Sequence, residues 1–120
     1  MNIRQVSPEV YQAEGPAVWA ARENIEFLKQ RARESPRGRA RLCAHPGPDD
    51  AVHEMLIALS KATLIRPHVH PGNVESVHVI EGEMNAYLFA EDGAITQTIA
   101  LGAFPTGKPF YYRMTVPLYH

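Results

Sequence analysis

Cysteine is nearly absent, with Cys43 alone among 120 residues. One thiol excludes an internal disulfide framework and fits a reducing compartment. Neither sign of charge is in excess, because 12 Lys and Arg stand against 13 Asp and Glu. That balance removes the basic footprint of a nucleic-acid or membrane-surface binder. Long apolar runs are missing as well. None exceeds the length of Met55-Leu-Ile-Ala-Leu59, far short of the roughly 20 residues a spanning helix needs. The first residues, Met1 to Gln12, contain no apolar stretch of a secretory signal. No glycine-rich phosphate loop is present, so nucleotide hydrolysis has no support. Internal repeats and low-complexity tracts are absent too. The expectation is a soluble cytoplasmic protein that contacts neither nucleic acid nor membrane.

The length predicts one structural domain. Residues 1–40 read as an N-terminal arm and helix, and residues 41–120 as a β barrel. Within the arm, Ile3 to Val10 reads as a short strand. Pro16 suits a helix start, and Ile25, Leu28 and Ala32 recur at helical spacing, which predicts a helix over 17–34. Ser35-Pro36 ends it, because the residue before proline disfavours helical dihedrals. Trp19 and Phe27 read as anchors of this helix. The arginines of 37–41 read as solvated charge, with an anion contact as the alternative. Short strands then follow at 41–45, 53–59, 64–70, 76–80, 83–89, 95–101 and 110–115, each bounded by Pro, Gly, Asp or Asn. Asp92-Gly93 is a hairpin signal. One helix followed by about seven closely spaced strands predicts an all-β barrel or jelly roll.

The most specific stretch runs from His68 to Gly82. On a strand, His68 and His70 share a face because side chains alternate. Their Cα atoms then lie roughly 6–7 Å apart, so two imidazoles can converge on one ion. Pro71-Gly72 supplies a turn, which lets the chain double back and bring Glu75 to the same point. Two nitrogens and one carboxylate on a β scaffold suit an open transition-metal site.

The spacing His-x-His-x4-Glu-x6-Gly, here His68, His70, Glu75 and Gly82, resembles the first metal motif of the cupins. The phrases Arg39–Pro46, His53–Leu59, Arg66–Gly72 and Glu75–Gly82 resemble the WbuC-type cupin-fold metalloproteins, which are associated with bacterial surface polysaccharides. The resemblance runs from about Trp19 to His120. Ala62 stands where the family carries glycine. Pro117-Leu-Tyr-His120 is similar to the second cupin motif but lacks its usual glycine. The resemblance implies a single-domain jelly-roll barrel that is short at its C-terminus. It also implies His120 as a fourth ligand beside His68, His70 and Glu75. One divalent cation is then expected, with Zn, Fe, Mn and Ni all open. A sheet edge exposed by the short C-terminus predicts a homodimer.

The resemblance implies that the ion is presented to a small polar ligand, such as a sugar or sugar derivative. Two classes compete. One is a metal-dependent isomerase, epimerase or dioxygenase; the other is a non-catalytic ligand-binding or sensor module. Arg66 shares parity with the two histidines and would bind a carboxylate or phosphate. Tyr111 and His45 are the other candidate helpers. Tyr111 and Arg113 share one face of their strand, Tyr112 and Met114 the other, and one pair lines the cavity. His78 has odd parity relative to Glu75 and should face away. His53, like His45, reads as surface or supporting. Tyr87 and Phe89 read as core, and Cys43 as a buried small hydrophobe.

Overall fold

A computed structural model describes residues 1–61, 63 and 65–120. Ala62, and Leu64 at the start of the expected 64–70 strand, lie outside the described residues. The chain is predominantly β with one α-helix. Its contacts divide it into two units, Met1–Leu64 and Ile65–His120. The expected boundary at 40/41 falls inside a strand, Arg39–Cys43. Among the described residues, no helix is long and apolar enough to cross a membrane.

In the first unit, strands β1 (Asn2–Ser7) and β2 (Val10–Glu14) precede helix α1 (Arg22–Glu34), and β3 (Arg39–Cys43) and β4 (Met55–Leu59) follow it. The sheet order is β1-β2-β3-β4. β2 and β3 are parallel, whereas β1/β2 and β3/β4 are antiparallel. A parallel pair needs a crossover connection, and α1 is that crossover. The N-terminal segment is therefore a hairpin, β1 and β2, built into the sheet rather than a single strand on an arm. Tyr11 and Ala13 of β2 share a buried core with Leu28 and Ala32 of α1 and Ala40 and Leu42 of β3. The side chains that face α1 thus alternate along each strand, as the pleat requires.

The helix starts at Arg22, five residues later than Pro16 suggests. Its entry is fixed by Asn24, whose Oδ1 accepts the Ala21 N–H at 2.7 Å. This bond satisfies a donor at the helix entrance. Ser35 closes the helix in extended conformation, just before Pro36. Leu28 and Ala32 form the buried stripe, but Trp19 is 59% exposed and anchors nothing. Phe27 meets Tyr11 edge to face, with ring centroids 4.9 Å apart. Gly38 turns the chain into β3 at φ 68°. A Cβ there would collide with Ser60 Oγ.

The arginines after α1 converge on a carboxylate of their own chain. Arg37 Nε donates to both oxygens of Glu9 at 2.9 and 3.0 Å, and Ser35 Oγ donates to Oε1 at 2.8 Å. The Arg37 bonds, working against burial and aided by Ser35, hold the Glu9 carboxyl down at about 2 from an ordinary 4.5. A pKa lower in the folded than in the unfolded state gives stability that is complete above the unfolded value and lost as pH falls through the folded one. Urea midpoints of the wild type and Glu9→Gln should therefore differ steadily near neutrality. The gap should close between about pH 4.5 and 2. A gap that ignores pH in that window would show that the carboxylate charge contributes nothing.

The second unit contains β5 (Ser76–His78), β6 (Glu83–Phe89), β7 (Ile95–Gly102), a 3-10 turn at Phe104–Thr106, and β8 (Tyr111–Arg113). β5 pairs with β8 and β6 with β7, both antiparallel. The Asp92-Gly93 hairpin forms as the sequence predicts. Gly93 N–H donates to Ala90 O at 3.0 Å, and Asp92 Oδ1 accepts the Ala94 N–H at 3.0 Å. Val79, Ala86 and Leu101 form the buried core, with Ile99 and Tyr112 against it. Tyr87 is 40% exposed, because the inward positions of β6 are Ala86 and Leu88. Among the described residues no sheet closes on itself, and 65–70 form no strand.

Candidate metal centre

His68 and His70 do not share a regular strand, yet their rings converge by another route. The last residues of the chain run beside the 67–69 segment. His68 and His120 exchange both backbone bonds, at 3.1 and 3.0 Å. Residues so paired carry their side chains on the same face, and the two rings lie 4.3 Å apart between centroids. On the other side, Phe89 N–H donates to Tyr119 O at 3.0 Å. The 119–120 segment is thus bonded on both sides, to His68 through His120 and to Phe89 through Tyr119.

The turn supplies the other two side chains. Asn73 N–H donates to His70 O at 3.1 Å, with Gly72 at φ 77° in the turn. Glu75 sits just before β5 and is fixed by Met114 N–H donating to its carbonyl at 2.9 Å. The result is one cluster. Each of His68, His70, Glu75 and His120 offers a ligand atom, and all four atoms lie within 4.8 Å of one another. This group could hold a metal ion. Donors on opposite sides of a first-row ion stand about 4.2 Å apart, so the cluster is the right size within a few tenths of an ångström.

The protonation pattern suits the same end. His68 Nδ1 lies 3.0 Å from Arg66 O, and His120 Nδ1 lies 2.9 Å from Leu118 O. A carbonyl oxygen only accepts, so each Nδ1 carries the proton and donates. In the neutral form of either ring Nε2 is then the lone-pair atom. Fixing one ring nitrogen on a backbone carbonyl is how ligating histidines are commonly oriented. His120 Nε2 and Glu75 Oε2 are 2.6 Å apart, and both are buried without a hydrogen-bond partner. Two lone pairs at that separation repel unless they share a proton or both turn toward one metal ion. His70 Nε2 is 4.0 Å from the same oxygen, and its side chain is 52% exposed. The cluster is therefore open to solvent on the His70 side.

The remaining candidates fall elsewhere. Arg66 is exposed, and it is its carbonyl, not its guanidinium, that serves His68. The parity argument for Arg66 fails because 65–70 form no strand. His45 stacks on His53 with centroids 4.3 Å apart, and its Nδ1 lies 3.0 Å from the carbonyl oxygen and 3.2 Å from the backbone nitrogen of Glu54. His78 is exposed and lies against Phe110 and Tyr111. Tyr111 is 49% exposed. The neighbouring Tyr112 is the tyrosine that senses the cluster: burial first, then the negative field of Glu75, raises its phenol above the usual value. It stays a neutral O–H donor. The sequence signal was the alternation of β8, which offered both faces without choosing. Cys43 is buried. Of two surface cavities, about 370 and 240 Å³ in volume, neither is lined by a member of the cluster.

A known family covers much of this chain. The family described as Domain of unknown function (DUF6016) matches residues 20–101, about two-thirds of the length, and the chain belongs to it. The matched span includes His68, His70 and Glu75 but stops before His120. Comparison with curated proteins and with solved structures gives no significant match.

Proposed function

We propose that this member of the DUF6016 family binds one divalent transition-metal ion through His68, His70, Glu75 and His120, and presents it to a small polar ligand. The observation that carries this reading is the convergence of four ligand atoms, one each from His68, His70, Glu75 and His120, all within 4.8 Å of one another. Three imidazoles and one carboxylate suit Zn, Fe, Mn or Ni. The motif spacing and the WbuC-type phrases support a cupin jelly roll as the architecture, and a sugar or sugar derivative as the ligand class. The His70 side, open to solvent, is where such a ligand would enter.

When bound, such an ion acts as a Lewis acid toward an oxygen of its ligand or of water. The chain's own residues do the rest. The carbonyls of Arg66 and Leu118 hold two rings in one tautomer. Glu75 supplies the one carboxylate side chain of the four. Tyr112 keeps its proton beside Glu75. The reading takes two forms, a metal-dependent enzyme acting on the ligand and a module that only binds it.

The test is elemental analysis of protein purified without added metal, followed by titration of the stripped protein with Zn²⁺ and Co²⁺. One ion per chain is expected, at micromolar affinity or tighter. A stripped protein that takes up neither ion would overturn the reading. The close contact between His120 Nε2 and Glu75 Oε2 would then be a hydrogen bond within the chain and not part of a metal site.

A further inference from the structure

We infer that β4 is a pairing edge, and that a second copy of this chain adds to it antiparallel, across a two-fold axis through Ile57. The inference does not rest on the metal reading, because it concerns the other unit. Among the described residues β4 ends the sheet and pairs only with β3. Ala44 N–H donates to Glu54 O at 2.9 Å and Ser60 N–H to Gly38 O at 2.8 Å, at either end of the β3/β4 ladder. Bonded pairs alternate along an antiparallel ladder. Leu56 and Ala58 therefore turn their backbone groups toward β3. Met55, Ile57 and Leu59 turn theirs outward.

The same three residues carry the side chains that α1 does not cover. Leu56 and Ala58 pack on the core, whereas Ile57 is 53% and Leu59 42% exposed. Open backbone groups and exposed apolar side chains thus coincide on one edge. Native edges are commonly guarded by charge, proline or a bulge. The opposite edge, β1, has such guards: Arg4, ion-paired to Glu14 at 2.6 Å, and a break in register between Gln5 and Ser7. β4 has neither charge nor proline, and its register is unbroken.

The strand is complementary to itself. An antiparallel copy centred on Ile57 sets Ile57 opposite Ile57 and Met55 opposite Leu59, so outward-bonding residues meet outward-bonding residues. Glu54 precedes the strand and Lys61 follows it. The two-fold brings the acidic end of one copy to the basic end of the other, whereas a parallel neighbour would set like against like. An interface that uses the same patch on both copies closes at two.

Sedimentation velocity of the full chain, stripped of metal, should give a dimer. Ile57→Lys sets two ammonium groups directly opposite each other, and should give a monomer with unchanged circular dichroism. In Ile57→Cys the paired Cα atoms would lie about 5.5 Å apart, within disulfide reach. Mild oxidation should then cross-link that variant, while Val6→Cys on β1 should stay uncross-linked. A monomeric wild type, a dimeric Ile57→Lys, or equal cross-linking through Val6→Cys would each overturn the inference.

Discussion

Glu75→Gln should cost the protein more than a hundredfold in Zn²⁺ or Co²⁺ affinity, while its metal-free form melts no lower than the wild type. Changes to groups that merely orient a ligand cost about ten- to a hundredfold, and loss of a charged ligand should exceed that. Three neutral imidazoles would be left facing a divalent ion with no negative partner. The metal-free outcome follows from the 2.6 Å contact between Glu75 Oε2 and His120 Nε2. A carboxylate cannot donate to that nitrogen, but the Gln amide can, and a donor–acceptor bond would replace two opposed lone pairs. Calorimetric titration and thermal melts of the stripped proteins give both readouts. If Glu75 were instead paired with an imidazolium, the variant would lose an ion pair, and its metal-free melting temperature would fall.

The His/Glu cluster was legible in the sequence for reasons that differ from residue to residue. Glu75 follows from the turn at Pro71-Gly72, which forms as the spacing implies. His68 and His70 were paired by strand parity, although 65–70 form no strand. His68 is placed by backbone pairing with His120, a long-range contact that no local pattern encodes, and His70 by the turn bond from Asn73. The N-terminal hairpin was lost for a related reason. β2 is parallel to β3 across α1, and the short polar stretch around β1 has no apolar alternation to announce it. Leu28 and Ala32 were legible because helical periodicity decides burial directly. Tyr87 was not, because large aromatic size suggested burial where the pleat of β6 gives the inward positions to Ala86 and Leu88.

Leu101→Ala should destabilise the second unit by about 2.7–5 kcal/mol, the span seen when a fully buried leucine leaves a cavity. Leu101 has no exposed surface and packs against Val79 and Ala86. Val79 continues the segment that carries Glu75, and its N–H is bonded to Phe110 O at 2.7 Å. A domain of this size shifts by about 4–8 °C per kcal/mol, so the melting temperature should drop by at least about 10 °C. Metal should return part of this. Free ion at a hundredfold excess over its dissociation constant stabilises the folded state by about 2.7 kcal/mol, comparable to the smaller end of the loss. Leu101→Ala should therefore regain most of a small deficit in excess Zn²⁺. The double variant with Glu75→Gln should regain little. Equal recovery in both would mean that the ion stabilises the protein somewhere other than the His68–His70–Glu75–His120 cluster.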